Sequence, residues 1–258
     1  MKDKLEAFEH LLTIMDELRE KCPWDKVQTF ESLRYLTIEE TYELSEAILD
    51  KKIDEIKKEL GDLMLHIVFY SKIGSETGDF DIADVLNYIS DKLVFRHPHI
   101  YGDVEANDAK TVKDNWEKIK LNEKGRESVL SGVPMALPPL IKAYRIQDKV
   151  SGVGFDWEEP HQVWDKVMEE LGELKKEVET SSDKEKMENE LGDLIFAIIN
   201  YARFINVNPE DALEKTNRKF IKRFQYLESK AKELGKSLKD MTLAEMDVFW
   251  EEAKMKEE

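Results

Sequence analysis

Glu169-Glu170-Leu171-Gly172-Glu173 is followed, sixteen residues on, by Glu190-Leu191-Gly192-Asp193. A near copy lies earlier in the chain: Glu39-Glu40-Thr41-Tyr42-Glu43, fifteen residues, then Glu59-Leu60-Gly61-Asp62. Residues three and four apart share a helix face, so Glu40 points with Glu43 and Glu170 with Glu173. The same spacing pairs Glu59 with Asp62 and Glu190 with Asp193. A turn between the halves predicts an antiparallel helix pair on which four carboxylates converge, once in each copy.

The acids continue an apolar stripe instead of lying opposite it. Leu33, Leu36, Glu40, Glu43 and Ala47 form one stripe, and Val163, Val167, Glu170 and Leu174 form the other. Carboxylates crowded against apolar surface repel one another and lose hydration, so they call for a cation or for protons. A hard divalent ion with oxygen ligands answers that need, and Mg²⁺ suits a site that keeps positions open for phosphate and water. Gly61 and Gly192 interrupt helical patterns at a cost of roughly 1 kcal/mol each. Close approach of a facing helix is the expected reason.

The composition agrees with an all-α protein. Of 258 residues 37% are charged and 41% apolar, with 11 Gly and 7 Pro, and no stretch alternates with period two. A net charge of −17 argues against a protein that wraps a nucleic acid polymer. Cys22 alone excludes an internal disulfide framework. The apolar runs are too short to span a bilayer and the first residues lack a signal-peptide core, so the expectation is a cytoplasmic protein with no membrane partner.

Helices are expected over residues 3–20, 30–50, 54–72 and 81–96, broken by Pro23, by Gly74 with Gly78, and by Pro98. The apolar run Leu63, Leu65, Ile67, Val68, Phe69 predicts a helix buried nearly all round, in a bundle core or a subunit interface. Residues 121–139, rich in Gly, Ser and Pro, read as a linker. The division is therefore 1–122, a linker at 123–138, and 139–258. Thr242 and Glu245 predict a capping box before the last helix. Trp24, Gln28 and Thr29 could pack as a connector or meet a nucleobase. His97 and His99, two apart, are read as helix-end residues and not as a metal site. Gly152 to Trp157 lacks the dinucleotide fingerprint and is read as a loop.

The repeat extends to basic residues. Asp84 to Arg96 aligns without a gap on Asp211 to Arg223, matching Lys92 with Lys219 and Arg96 with Arg223. Trp116 and Lys120 match Trp250 and Lys254. Acids for a metal and bases for phosphate oxygens make up a phosphoryl-transfer site.

These features together resemble the MazG nucleoside triphosphate pyrophosphohydrolases. So do Cys22-Pro23-Trp24-Asp25 with Gln28-Thr29, Arg96-His97-Pro98-His99, Gly154-Phe155-Asp156-Trp157 and Asn217-Arg218-Lys219-Phe220. The resemblance covers nearly the whole chain. It implies two tandem all-α domains with four-helix cores completed in a homodimer. It implies Mg²⁺-dependent conversion of NTPs and dNTPs to monophosphate and pyrophosphate, with Mn²⁺ as a substitute. Broad base specificity and a role in cleaning the nucleotide pool go with it. Carried over, Glu170, Glu173, Glu190 and Asp193 hold the metal, and Glu169 orients ligand or water. Lys219, Arg223 and Lys254 bind the triphosphate beside Trp250. Glu40, Glu43, Glu59, Asp62, Glu39, Lys92, Arg96, Lys120 and Trp116 take these roles in the first copy. In some members only the C-terminal domain is active, but here the first quartet is intact. Two rivals are a ferritin-like di-iron bundle, weakened by Asp where it needs Glu-x-x-His, and a non-catalytic helical interaction protein.

Overall fold

The apolar periods form helices that stop where the sequence places caps and breakers. The computed structural model describes residues 1–256 apart from 107, 109, 110, 113, 114, 117, 118, 120–127, 181 and 182. Among the described residues there is no strand. The chain packs as two compact units, Met1–Asn107 and Asp108–Glu258.

The first unit contains α1 (Lys2–Lys21), α2 (Phe30–Leu49), α3 (Ile53–Thr77), α4 (Ile82–Arg96) and the short α5 (Pro98–Tyr101). Helices α2 and α3 form the antiparallel pair expected from the repeat, with α1 packed against α3. Thr29 caps α2 in a reciprocal box with Ser32, and Asp81 caps α4 with Asp84. Met15, Leu33, Val68, Phe69 and Ile73 make the buried core of this unit. The Arg19 guanidinium binds both Glu76 carboxylate oxygens, at 2.8 and 2.9 Å, and reaches the Asp25 and Gln28 carbonyls. It thereby fixes the turn Asp25–Val27 against α1 and α3.

The second unit contains α6 (Pro139–Ser151), α7 (Pro160–Thr180), α8 (Lys184–Phe204), α9 (Pro209–Glu233) and α10 (Leu243–Met255). Helices α7 and α8 repeat the acidic pair, α6 packs on α8, and α9 packs on α10. Thr242 and Glu245 form the expected box at the start of α10. Lys236 and two Thr242 donors hold the Glu245 carboxyl down at about 2.

One expectation is corrected and two are narrowed within the chain. Gly74 does not break α3; it lies buried inside it, and a Cβ there would come within 2.8 Å of the Phe80 ring. Gly78, with φ +73, ends the helix, because a left-handed residue is needed there. Helix α3 is not buried all round within the chain: Val68 and Phe69 are buried while Leu60, Met64 and Ile67 stay exposed, so the chain's own core does not cover it by itself. Among the described residues nothing lies within 4 Å of a Cβ built on Gly61 or Gly192, so no described helix of the same chain accounts for them.

Candidate active site

The helix pairs bring three carboxylates of each quartet together. Single oxygens of Glu40, Glu43 and Glu59 lie within 4.8 Å of one another, as do those of Glu170, Glu190 and Asp193. Asp62 and Glu173 stand just outside these triads but act on them through charge. Burial, then Asp62, Glu43, Glu59 and Glu39, pushes the Glu40 carboxyl above the usual range. Burial raises Glu59 as well, followed by the charges of Glu43 and Asp62. Glu190 is raised by burial and then by Glu173, Asp193 and Glu170. Oxygen-only donors that resist losing their protons in one another's company fit a hard divalent cation.

The second triad has a feature that the first lacks. Lys166, one turn before Glu170 on α7, puts its Nζ 2.6 Å from Glu170 Oε1 and 2.8 Å from Glu169 Oε1. Hydrogen bonds to Glu169 and Glu170 hold the Lys166 ammonium well above its ordinary range. Leu36 occupies the matching place on α2. Among the described residues no Lys or Arg forms an ion pair with Glu40, Glu43, Glu59 or Asp62.

Around this second triad opens a pocket of about 650 Å³, lined by residues of α6, α7 and α8 and by the loop Gly154–Trp157. Glu170, Asp193 and Lys166 form its charged end, and Phe155, Phe196 and Ala197 contribute apolar wall. Arg203 donates to Asp156 at 2.5 Å and to Asn200 Oδ1 at 3.0 and 3.1 Å, so the loop is tied to α8. Arg203 and its neighbours draw the Asp156 carboxyl below its usual value against the opposing effect of burial.

The matching places of the first unit carry larger side chains, and the pocket between α1 and α3 there is smaller, about 130 Å³. Counting on from Glu59 and Glu190, His66 matches Ala197 and Phe69 matches Asn200. His66 is buried and shares a hydrogen bond with Thr37, which also meets Tyr70. Burial pushes the His66 imidazole below its ordinary range. Gln28, which could have faced a base, instead binds the Trp24 carbonyl and the Ser32 hydroxyl.

The basic residues lie on other helices than the acids. Arg223 lies over the Trp250 ring at 5.9 Å, and Phe220 packs on the same ring with centroids 5.0 Å apart. Lys254 pairs with Glu251. Lys219, Arg223, Trp250 and Lys254 do not line the pocket. In the first unit Lys92 sits over Tyr88, and Arg96 is half-buried at the end of α4. His97 binds the Leu93 carbonyl and packs on His99, in keeping with a helix end. Trp116 is half-buried; Lys120 lies outside the described residues.

Lys166, Gln147, Asn200 and Arg203 were not singled out from the sequence. A residue-by-residue comparison of the repeats would have flagged three of them, since Leu36, Phe69 and Lys72 stand opposite Lys166, Asn200 and Arg203.

Comparison with known proteins agrees with this arrangement. Residues 28–101 and 158–227 each match the MazG nucleotide pyrophosphohydrolase domain, so both acidic helix pairs fall within the matched segments. A Thermotoga maritima protein named nucleoside triphosphate pyrophosphohydrolase/pyrophosphatase MazG is 44% identical over 98% of both chains. The Escherichia coli K12 nucleoside triphosphate pyrophosphohydrolase is 40% identical over 98% of this chain and 99% of its own. A Mycobacterium tuberculosis protein of the same name is 34% identical over 55% of this chain and 44% of its own. A duplicated family domain and two full-length relatives settle the kinship: this chain belongs to the MazG nucleotide pyrophosphohydrolase family.

Proposed function

We propose that the chain hydrolyses nucleoside and deoxynucleoside triphosphates at the α-phosphorus, releasing the monophosphate and pyrophosphate. The observation that carries the reading is the carboxylate triad Glu170, Glu190 and Asp193, of which Glu170 and Asp193 line a pocket that also has apolar and aromatic walls. The names of the full-length relatives support the same substrate class.

Glu170, Glu173, Glu190 and Asp193 would hold a divalent cation, with Mg²⁺ the expected ion and Mn²⁺ a substitute. Their donor set is all oxygen, and their mutual repulsion is what a cation would relieve. When bound, the ion offsets phosphate charge and polarises the phosphoryl group under attack. Around it the chain's residues divide the work. Glu169, paired with Lys166, would orient ligand or water, and a carboxylate of the site would accept the water's proton. Lys219, Arg223 and Lys254 meet the charge on the departing pyrophosphate, with Trp250 bordering the nucleotide. The first unit would use Glu39, Glu40, Glu43, Glu59, Asp62, Lys92, Arg96, Trp116 and Lys120 in the same way.

The functional domains are 1–122 and 139–258, joined by 123–138. Both act in a homodimer, since Leu60, Met64 and Ile67 on α3 and Leu191, Ile195 and Ile198 on α8 leave apolar faces unpaired in the chain. A dimer would also bring a facing helix to Gly61 and Gly192. A broad choice of bases and a role in clearing the nucleotide pool complete the reading.

The test is product analysis with Mg²⁺ and each common NTP and dNTP. Monophosphate plus pyrophosphate is expected; diphosphate plus orthophosphate would overturn the reaction.

A further inference from the structure

We propose that Asp156 and Arg203 are positioning residues, which pin the loop Gly152–Trp157 as a hinged cover over the second unit's pocket, with Phe155 as the part that closes. The assignment rests on the triphosphate reading above for its kinetics and deepens it.

The loop joins α6 to α7, and among the described residues its one polar link to α8 is Asp156. Arg203 Nη2 donates to Asp156 Oδ1 at 2.5 Å, and Nη1 donates to the Ser151 hydroxyl, at the foot of the loop, at 3.2 Å. Asn200 Oδ1, one turn earlier on α8, accepts from the same guanidinium and holds it in place. The side chains of Arg203 and Asp156 are 13% and 23% exposed, so the pair escapes most of the screening that weakens surface ion pairs. The loop's own backbone turns back on α6: Gly154 N–H donates to the Ser151 carbonyl and Phe155 N–H to that of Val150.

Phe155 sits between a hinge and this pin. Gly154 has φ +87, and nothing lies within 4 Å of a Cβ built on it, so the chain turns there with space around it. Phe155 lines the pocket yet is 80% exposed, and Val153 and Trp157 are close to half exposed. A ring left this open beside a pocket gains burial by folding onto an occupant, and water leaves as it closes. The first unit secures the same connection differently. Arg19 of α1 grips the backbone there, at the Asp25 and Gln28 carbonyls, and both of those residues are buried. Lys72, which holds the place of Arg203 on α3, binds Asp16 of α1 instead. A backbone grip at two points fixes a loop, whereas a single side-chain pin lets it pivot. The cover therefore belongs to the second unit.

The test is amide hydrogen exchange by mass spectrometry on the full chain, with and without Mg²⁺ and a nucleoside triphosphate analogue whose α,β-bridge is methylene. In the free chain residues 153–157 should exchange at least about tenfold faster than residues 25–28. The analogue should slow 153–157 at least about tenfold, as burial of one aromatic side chain allows. Arg203→Met should remove most of that protection. It should also raise KM about tenfold with kcat within about twofold, the size of one charge-assisted hydrogen bond. Asp156→Ala combined with Arg203→Met should cost no more than either alone, because the two act as one pair. Phe155→Ala should raise KM by a similar factor with the pin intact. Asp156→Asn serves if Arg203→Met does not fold. No slowing of 153–157 by the analogue, additive losses in the double variant, or a fall in kcat with KM unmoved overturns the assignment. Slowed exchange without triphosphate turnover keeps the cover and sinks the reaction. Turnover without slowed exchange sinks the cover alone.

Discussion

Replacing Lys166 with Met should tighten metal binding at the second unit. In the chain without metal, the Lys166 ammonium occupies the charge space a cation needs, 2.6 Å from Glu170 and 2.8 Å from Glu169. Two unit charges about 4 Å apart near a protein surface attract by about 4 kcal/mol at an effective dielectric of about 20. The Lys166 side chain is 38% exposed and that of Glu169 56%, so water and salt screen much of this. A remaining attraction of about 1–2 kcal/mol must be given up when a cation takes Glu170, which corresponds to roughly 5–30-fold in affinity. Isothermal titration of Mn²⁺ or Mg²⁺ into the full chain without nucleotide measures it directly. The first unit, with Leu36 at the matching place, is the internal control and should not change. In Lys166→Met the second class of sites should tighten 5–30-fold. Unchanged or weaker binding there would refute the idea that Lys166 competes with the metal.

Other outcomes follow from the same geometry. Glu173→Gln and Glu190→Gln should each lower second-unit turnover about 10²–10³-fold, read in a background with Glu40→Gln and Glu59→Gln; losses under tenfold would remove these residues from the site. The raised carboxyls of Glu40, Glu59 and Glu190 favour the folded chain in acid, and that contribution fades as pH climbs through their folded-state values. A cation binding their ionised forms should therefore raise the melting temperature more at pH 7 than at pH 5, and equal shifts would contradict the assignment. Gly74→Ala forces a Cβ within 2.8 Å of the Phe80 ring and 2.9 Å of its carbonyl, so it should destabilise the first unit by about 1–3 kcal/mol in chemical denaturation.

Much of this was legible in the sequence, for a physical reason. The period-3.6 stripes carry both the fold and the position of the acids, so the spacing of Glu170 from Val163 and Val167 by itself places it on the buried face. Breakers such as Pro23 and the cap at Thr242 act locally and were readable in the same way. Gly74 was misread because its role depends on Phe80, which reaches it only after the chain turns at Gly78. The pocket was invisible because it is made by what is missing: a small Ala197 and a polar Asn200 where the first repeat has His66 and Phe69. Lys166 escaped notice because a lysine one turn from a glutamate is ordinary on a solvated helix, and only the burial of Glu170 makes the pair matter.

Hydrolysis in ¹⁸O-labelled water tests the central claim most directly. With Mg²⁺ and a nucleoside triphosphate, attack at the α-phosphorus must leave the label in the nucleoside monophosphate and none in pyrophosphate. Label recovered in pyrophosphate would place the attack on the β-phosphorus and contradict the account, even with the same two products in the tube.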